Sequence, residues 1–148
     1  MPKMISVYSV AEGGYITTSK VNKSDEGWRS QLTPEQYNIT RGHGTEPAFC
    51  SGLLQEHGDG VFQCICCGND LFYTRAKFES GTGWPSFWEP VAPENILTVP
   101  DQSFGMTRME IRCARCDAHL GHVFEDGPPP TGLRHCLNSA ALQFTDAG

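Results

Sequence analysis

Four of the seven cysteines in this 148-residue chain fall in two Cys-x-x-Cys pairs, Cys64/Cys67 and Cys113/Cys116. A tight turn sets the sulfurs of one pair along one edge of a tetrahedron, and a second pair supplies the opposite edge. The pattern therefore points to a four-thiolate zinc site, and a CxxC redox couple explains two pairs less well. A zinc ion held by four protein sulfurs has no open position to activate water. Its part is to tie two hairpins together. Cys66 lies inside the first knuckle and is an alternative ligand, but Cys64 preserves the two-residue gap. Gly68, directly after Cys67, suits a knuckle that needs an unusual backbone angle.

The rest of the chain limits what can surround such a site. Charged residues make up only 19%, and there are 16 glycines and 10 prolines, which favours a loop-rich β domain over a helical bundle. The formal charge of −6 comes without a basic cluster, so nucleic acid is not an expected partner. No stretch is long and apolar enough to span a bilayer, and Ala11-Glu12-Gly13-Gly14 interrupts any secretory signal. An odd number of cysteines cannot form a fully paired disulfide framework. Together with the CxxC spacing, this makes the reducing cytoplasm the expected compartment.

Residues 1–27 are polar, contain glycine and show no clear period, so they read as an extension that is partly disordered. A single domain is expected over 28–148. Thr33-Pro34-Glu35-Gln36 is a capping box with proline at the first helical position, which predicts a helix from Pro34 to about Arg41. Beyond Gly60 the pattern is of short strands: Val61–Cys64, Leu71–Tyr73, Ala118–Phe124, Leu133–Leu137 and Ala141–Phe144. The alternation of Met109, Ile111 and Cys113 with Arg108, Glu110 and Arg112 predicts a half-buried strand leading into the second CxxC.

Cys136 stands apart from the zinc set, in Arg134-His135-Cys136-Leu137-Asn138-Ser139. A thiol with an ordinary pKa of about 8.5 is mostly protonated at neutral pH, so it needs polar neighbours to act as a nucleophile. The other reading is a small buried hydrophobe. In an extended segment Cys136 and Asn138 share one face and His135 takes the other. His119 and His122 are then the better proton partners. Their odd separation puts them on opposite faces of a regular strand unless a bulge near Gly121 re-aims one of them. Gly81-Thr82-Gly83-Trp84-Pro85-Ser86-Phe87-Trp88 reads as a rigid loop presenting aromatic rings to a soft apolar group such as a methylthioether.

Taken together, GTEPAF (Gly44–Phe49), CxxCG (Cys64–Gly68), SGTGWPSFWEP (Ser80–Pro90), RCARCDAHLGHVFEDGP (Arg112–Pro128) and PTGLRHCLNSAAL (Pro130–Leu142) resemble the methionine-R-sulfoxide reductases. The resemblance runs from about Leu32 to Phe144. It implies a mainly β fold, two small antiparallel sheets with a short N-terminal helix (a β-tent), and a structural zinc on Cys64, Cys67, Cys113 and Cys116. It further implies that Cys136 attacks the sulfoxide sulfur and becomes a sulfenic acid. His119 and His122 would bind the oxygen and supply protons, Asn138 would orient the site, and Trp84 would pack on the S-methyl group. Arg134 lies beside this site in the family.

This chain departs from the commonest pattern at Thr82, where many relatives carry the cysteine that resolves the sulfenic acid. Relatives lacking it use a cysteine just after the GTEPxF word, and Cys50 occupies that place. The resemblance therefore implies a Cys50–Cys136 disulfide reduced by thioredoxin, with Cys66 or an external thiol as alternatives. A zinc-held interaction module without catalysis is the rival reading. It accounts for the knuckles but gives Cys136 and the GTGWPSF loop no purpose.

Overall fold

The structure, a computed structural model, describes residues 3–42, 59–78, 80–102 and 107–146. All strand pairs among them are antiparallel. A six-stranded sheet runs β5 (Lys77–Phe78), β6 (Ser86–Phe87), β10 (Arg134–Leu137), β9 (His119–Phe124), β8 (Arg108–Cys113), β7 (Ile96–Asp101). A three-stranded sheet runs β11 (Leu142–Asp146), β3 (Gly60–Cys64), β4 (Asp70–Tyr73). These are the two sheets the sequence led us to expect. A hairpin of β1 (Met4–Ser9) and β2 (Gly14–Ser19) joins them as a third.

The two sheets meet through aromatic rings. Phe62 of β3 and Phe72 of β4 both pack on Phe87 of β6, Phe72 stacked at 4.5 Å between centroids and Phe62 edge-on at 5.2 Å. All three are fully buried. Truncating any one of them costs about 3–5 kcal/mol, so this contact locks β6 in place. Phe87 points into that core, and strand alternation turns its neighbour Ser86 to the opposite face, where the chemistry lies.

Helix α2 (Pro34–Thr40) forms as its capping box dictates. Thr33 Oγ1 accepts from Gln36 N, the Gln36 side chain accepts from Thr33 N, and the helix ends at Arg41. A second helix, α1 (Asp25–Gln31), was not expected. Gly27 obscures it in the sequence, but Ser24 caps it by accepting from Gly27 N, and Asp25 and Glu26 complement its positive end. Trp28 anchors it in the core at 4% exposure, with Arg41 over its ring at 4.3 Å. Among the described residues no helix is long and apolar enough to cross a membrane.

The N-terminal segment, which shows no clear period in the sequence, pairs as the β1–β2 hairpin. The hairpin buries little apolar surface of its own, Val7 being its one buried hydrophobic residue. A distant polar side chain docks it instead. Asn95, fully buried, accepts from Tyr8 N at 2.8 Å and donates to the carbonyls of Tyr8 at 2.9 Å and Asp70 at 2.7 Å. Lys20 then ties the end of β2 to the second knuckle through Asp117 and the Ala114 carbonyl. Periodicity carries no trace of such bonds.

Strand β8 also departs from the expected half-buried pattern. Met109, on its apolar face, is 36% exposed, whereas Glu110, on its charged face, is 4% exposed. Ile111 and Cys113 on the apolar face are fully buried, so both faces of the strand are covered around Glu110.

Candidate active site and metal cluster

The two knuckles are near copies. Gly68 N donates to Cys64 O and Asp117 N to Cys113 O, both at 2.8 Å, while Cys64 N donates to Asn69 O and Cys113 N to Ala118 O, both at 2.9 Å. Each turn needs one left-handed residue, supplied by Gly68 (φ 76°) and Asp117 (φ 64°). Aspartate is among the few side chains that tolerate this conformation.

The turns bring Cys64, Cys67, Cys113 and Cys116 together, with all four sulfurs within 4.8 Å of one another. Cys64 Sγ lies 3.6 Å from Cys116 Sγ, and Cys67 Sγ lies 3.5 Å from Cys113 Sγ. Sulfurs about 2.3 Å from a tetrahedral zinc stand about 3.8 Å apart, so the donor set and its spacing fit such an ion. The thiols titrate as a coupled set. Hydrogen bonds with Cys113 and Cys116, reinforced by burial, push the Cys64 thiol up. Burial also opposes ionisation of Cys113, but hydrogen bonds from Cys116, Cys64 and Cys67 hold it well below the ordinary thiol value. Four thiolates at this spacing repel one another, and a dication removes that conflict. Asn69 Nδ2 donates to Cys113 Sγ at 3.6 Å, and Arg41 Nη2 lies 3.9 Å from Cys116 Sγ. Cys66 is buried beside the quartet, against Cys64 and Cys116.

The second centre is built by strand register. Cys136 pairs with Ser86 on one side and His122 on the other, His122 pairs with Glu110, and Glu110 pairs with Val99. Directly opposed residues share a face, so these five form one row across the sheet. His119 joins the same face through a bulge. Ile111 pairs with Gly121 and Arg112 with His119, which leaves Leu120 as the extra residue. The two imidazoles consequently meet edge to face, 5.4 Å apart. Gly121 is required here, because a Cβ on it would lie 2.0 Å from the Cys136 carbonyl oxygen.

Each histidine is backed by a carboxylate and an arginine, none of which the sequence had singled out for this part. His122 Nε2 lies 2.8 Å from Asp101 Oδ2, with Arg108 Nη2 3.4 Å from the same oxygen. His119 Nδ1 lies 2.6 Å from Glu110 Oε2, and Arg112 Nη2 lies 2.9 Å from Glu110 Oε1. Burial raises the Glu110 pKa, but hydrogen bonds from Arg112 and His119 outweigh it and hold the carboxyl below its ordinary value. The Arg108-x-Glu110-x-Arg112 alternation was the available signal for one triad. Asp101, at the end of β7, had none.

A cavity of about 230 Å³ opens over this face, lined by Cys136, His122, Asn138, Trp84, Thr82 and Arg108 among others. Cys136 is half-buried. Asn138 is held by its Nδ2 donating to Leu120 O at 3.2 Å. The Trp84 loop turns on Gly81 and Gly83, both at positive φ, and is tied to β10 by Leu137 N donating to Pro85 O at 2.9 Å. His119 is 3% exposed and does not line the cavity, so His122 is the histidine that faces it. His135 faces away, as alternation requires. It is buried, with Nδ1 3.1 Å from Phe87 O, and burial lowers its pKa against the raising effect of that hydrogen bond.

Arg134 also reaches the cavity. Its guanidinium forks onto Asp126 at 2.9 and 3.2 Å, stacks on Phe124 at 4.4 Å and shares the cavity wall with Cys136. Asp126 raises the Arg134 pKa, burial opposes this, and the Cys136 charge adds to it. A cation in the same wall as a sulfur favours its thiolate. Three larger cavities, about 680 Å³ under the hairpin, about 430 Å³ behind β10 and about 330 Å³ at the two helices, have no cysteine among the described residues of their walls. Cys50 and the Gly44–Phe49 word lie outside the described residues.

The chain matches the SelR domain family over residues 32–146, which leaves the hairpin outside the match. It is 61% identical to a peptide methionine sulfoxide reductase MsrB of Synechococcus sp. (strain RCC307), over 85% of this chain and 93% of the relative. It is 55% identical to one of Thioalkalivibrio sulfidiphilus, over 84% and 90%, and 52% identical to one of Agrobacterium fabrum, over 87% and 96%.

Proposed function

Since the chain belongs to the MsrB family of peptide methionine sulfoxide reductases, we propose that it reduces methionine-R-sulfoxide, in proteins and in free form, with Cys136 as nucleophile. The observation that carries this reading is the gathering of Cys136, His122 and Trp84 around one small cavity, with Arg134 in its wall. In the first step the Cys136 sulfur attacks the sulfoxide sulfur. In net, a thiol and a sulfoxide become a sulfenic acid and a thioether. The methionine sulfur gains two electrons, the cysteine sulfur loses two, and the oxygen passes between them.

The residues divide the work. Arg134 stabilises the attacking thiolate. The oxygen leaves only when protonated, so His122 at the cavity wall acts as acid, buttressed by His119. Asn138 orients the polar end of the substrate, and Trp84 packs on its S-methyl group. Cys50 condenses with the sulfenic acid, releasing water and forming a Cys50–Cys136 disulfide that thioredoxin reduces. Cys66 is the poorer resolver because it is buried beside the four-sulfur cluster. Cys64, Cys67, Cys113 and Cys116 hold a structural zinc, which supplies a closed cross-link between the knuckles. A thiol that cycles through a reducible disulfide fits a reducing cytoplasm.

The test is Cys136→Ser assayed on a peptide carrying methionine-R-sulfoxide. Reduction falls by about 10³-fold or more, and the metal content stays as in the parent. Parent-like turnover would overturn the assignment. Cys50→Ser releases one methionine per chain and then stalls with thioredoxin as reductant. Continued turnover would move the resolving role to another thiol.

A further inference from the structure

Behind the cavity wall stands a group with no contact to the cavity itself. Asp101 ends β7 and does not line the cavity, yet its Oδ2 lies 2.8 Å from Nε2 of His122, which does. We propose that Asp101 is a positioning residue that accepts from Nε2–H of His122 and so turns Nδ1 toward the cavity, where the protonated ring donates its Nδ1–H to the sulfoxide oxygen. The inference rests on the reductase reading above and goes beyond it, since nothing in the sequence motifs singles out Asp101.

Three observations converge. An ionised carboxylate accepts and cannot donate, so the hydrogen of this 2.8 Å contact sits on Nε2. Arg108 Nη2, 3.4 Å from the same oxygen, is a cation that favours the charged carboxylate and fixes its direction. His119 meets the ring edge to face at 5.4 Å, so the imidazole is held on two sides. The two triads are not interchangeable. Glu110 takes Nδ1 of His119, whereas Asp101 takes Nε2 of His122, and only His122 lines the cavity. The charged and titratable groups about the His122 ring are Asp101 on β7, Arg108 and Glu110 on β8, His119 on β9, and Cys136 and Arg134 on β10. Among them Asp101 is the group bonded to the His122 nitrogen.

The test uses the full-length, metal-loaded protein. Nitrogen-edited NMR of the imidazole groups is expected to show His122 with a protected N–H on Nε2. In Asp101→Ala that signal disappears, and the first reductive step, followed in single turnover, slows on the order of 10²-fold while KM holds. Asp101→Asn keeps an oxygen that accepts from Nε2, and it restores both the signal and at least about tenfold of the lost rate. A parent-like first step in Asp101→Ala would overturn the proposal, and so would an Nε2–H signal that persists there. Should Asp101→Ala fold poorly, an Asp101→Asn protein lacking the Nε2–H signal would overturn it equally. If the parent protein reduces no sulfoxide at all, the functional reading fails. The Nε2–H measurement still reports separately on the Asp101 contact.

Discussion

The protein handles sulfur in opposite ways in two places. In the knuckles, four sulfurs crowd within 4.8 Å and three of their residues are buried. At Cys136 a single sulfur stands half-buried at a cavity, with an arginine beside it and an imidazole across the sheet. The element is the same, and the surroundings decide the chemistry. Crowded thiolates need a dication and become inert once it binds, whereas a lone thiolate beside a cation keeps its nucleophilicity. The supporting groups differ in kind too. Asn69, Arg41 and the backbone N–H groups of the knuckles hold sulfur still, while the triads behind Cys136 hold acids and bases.

The contrast can be broken most forcefully by exchanging one sulfur for oxygen on each side. Cys113→Ser removes a ligand and a buried thiolate. It abolishes stoichiometric metal binding and costs more than about 5 kcal/mol, enough to unfold much of the population. Cys136→Ser leaves metal content and melting temperature as they were. Equal melting losses in the two variants would show that the centres are not separate.

Gly121→Ala probes the place where backbone packing serves the reactive centre. Its new Cβ meets the Cys136 carbonyl at 2.0 Å, and a cost of about 3 kcal/mol is expected, read by denaturant unfolding. The first reductive step should slow as β10 is pushed away, with metal binding retained. Asn69→Ala sharpens the other side. It removes the donor to Cys113 Sγ and to the Asn95 carbonyl, at about 1–2 kcal/mol. Loss of metal to a chelator accelerates several-fold while the rate of sulfoxide reduction holds.

The smallest effect concerns His135, on the face of β10 opposite Cys136. Burial holds its pKa below the ordinary 6.5, so the unfolded chain takes up a proton that the folded one refuses. Stability therefore falls as pH drops through and below about 6.5, and it recovers as pH rises. His135→Phe flattens that slope in urea unfolding measured between neutral and mildly acidic pH. An unchanged slope would mean the proton uptake arises elsewhere.

Several parts of this arrangement were legible in the residues. The capping box at Thr33–Gln36 is local chemistry, and it formed where it was expected. The four metal-cluster cysteines follow from spacing, and a bulge near Gly121 from the odd separation of two histidines. The hairpin at Met4–Ser19 was not legible, because its docking depends on Asn95, far along the chain. Glu110 was misjudged for a related reason. Its alternation with Met109 and Ile111 is real and Ile111 is buried, but Glu110 is buried as well because Arg112 and His119 close over its carboxylate. The short strands β5 and β6, two residues each, carry too little pattern to be seen at all.

Residue type and short-range spacing alone determined the two candidate metal knuckles, the candidate nucleophile and the alternation that sets His135 apart from Cys136, since each depends only on neighbours along the chain. The tertiary structure decided that His122 fronts the cavity while His119 lies behind it, and that Asp101, Arg108 and Arg134 join them. Those placements come from the register of strands remote in sequence and from one bulge. A single-residue slip would turn every side chain to the other face.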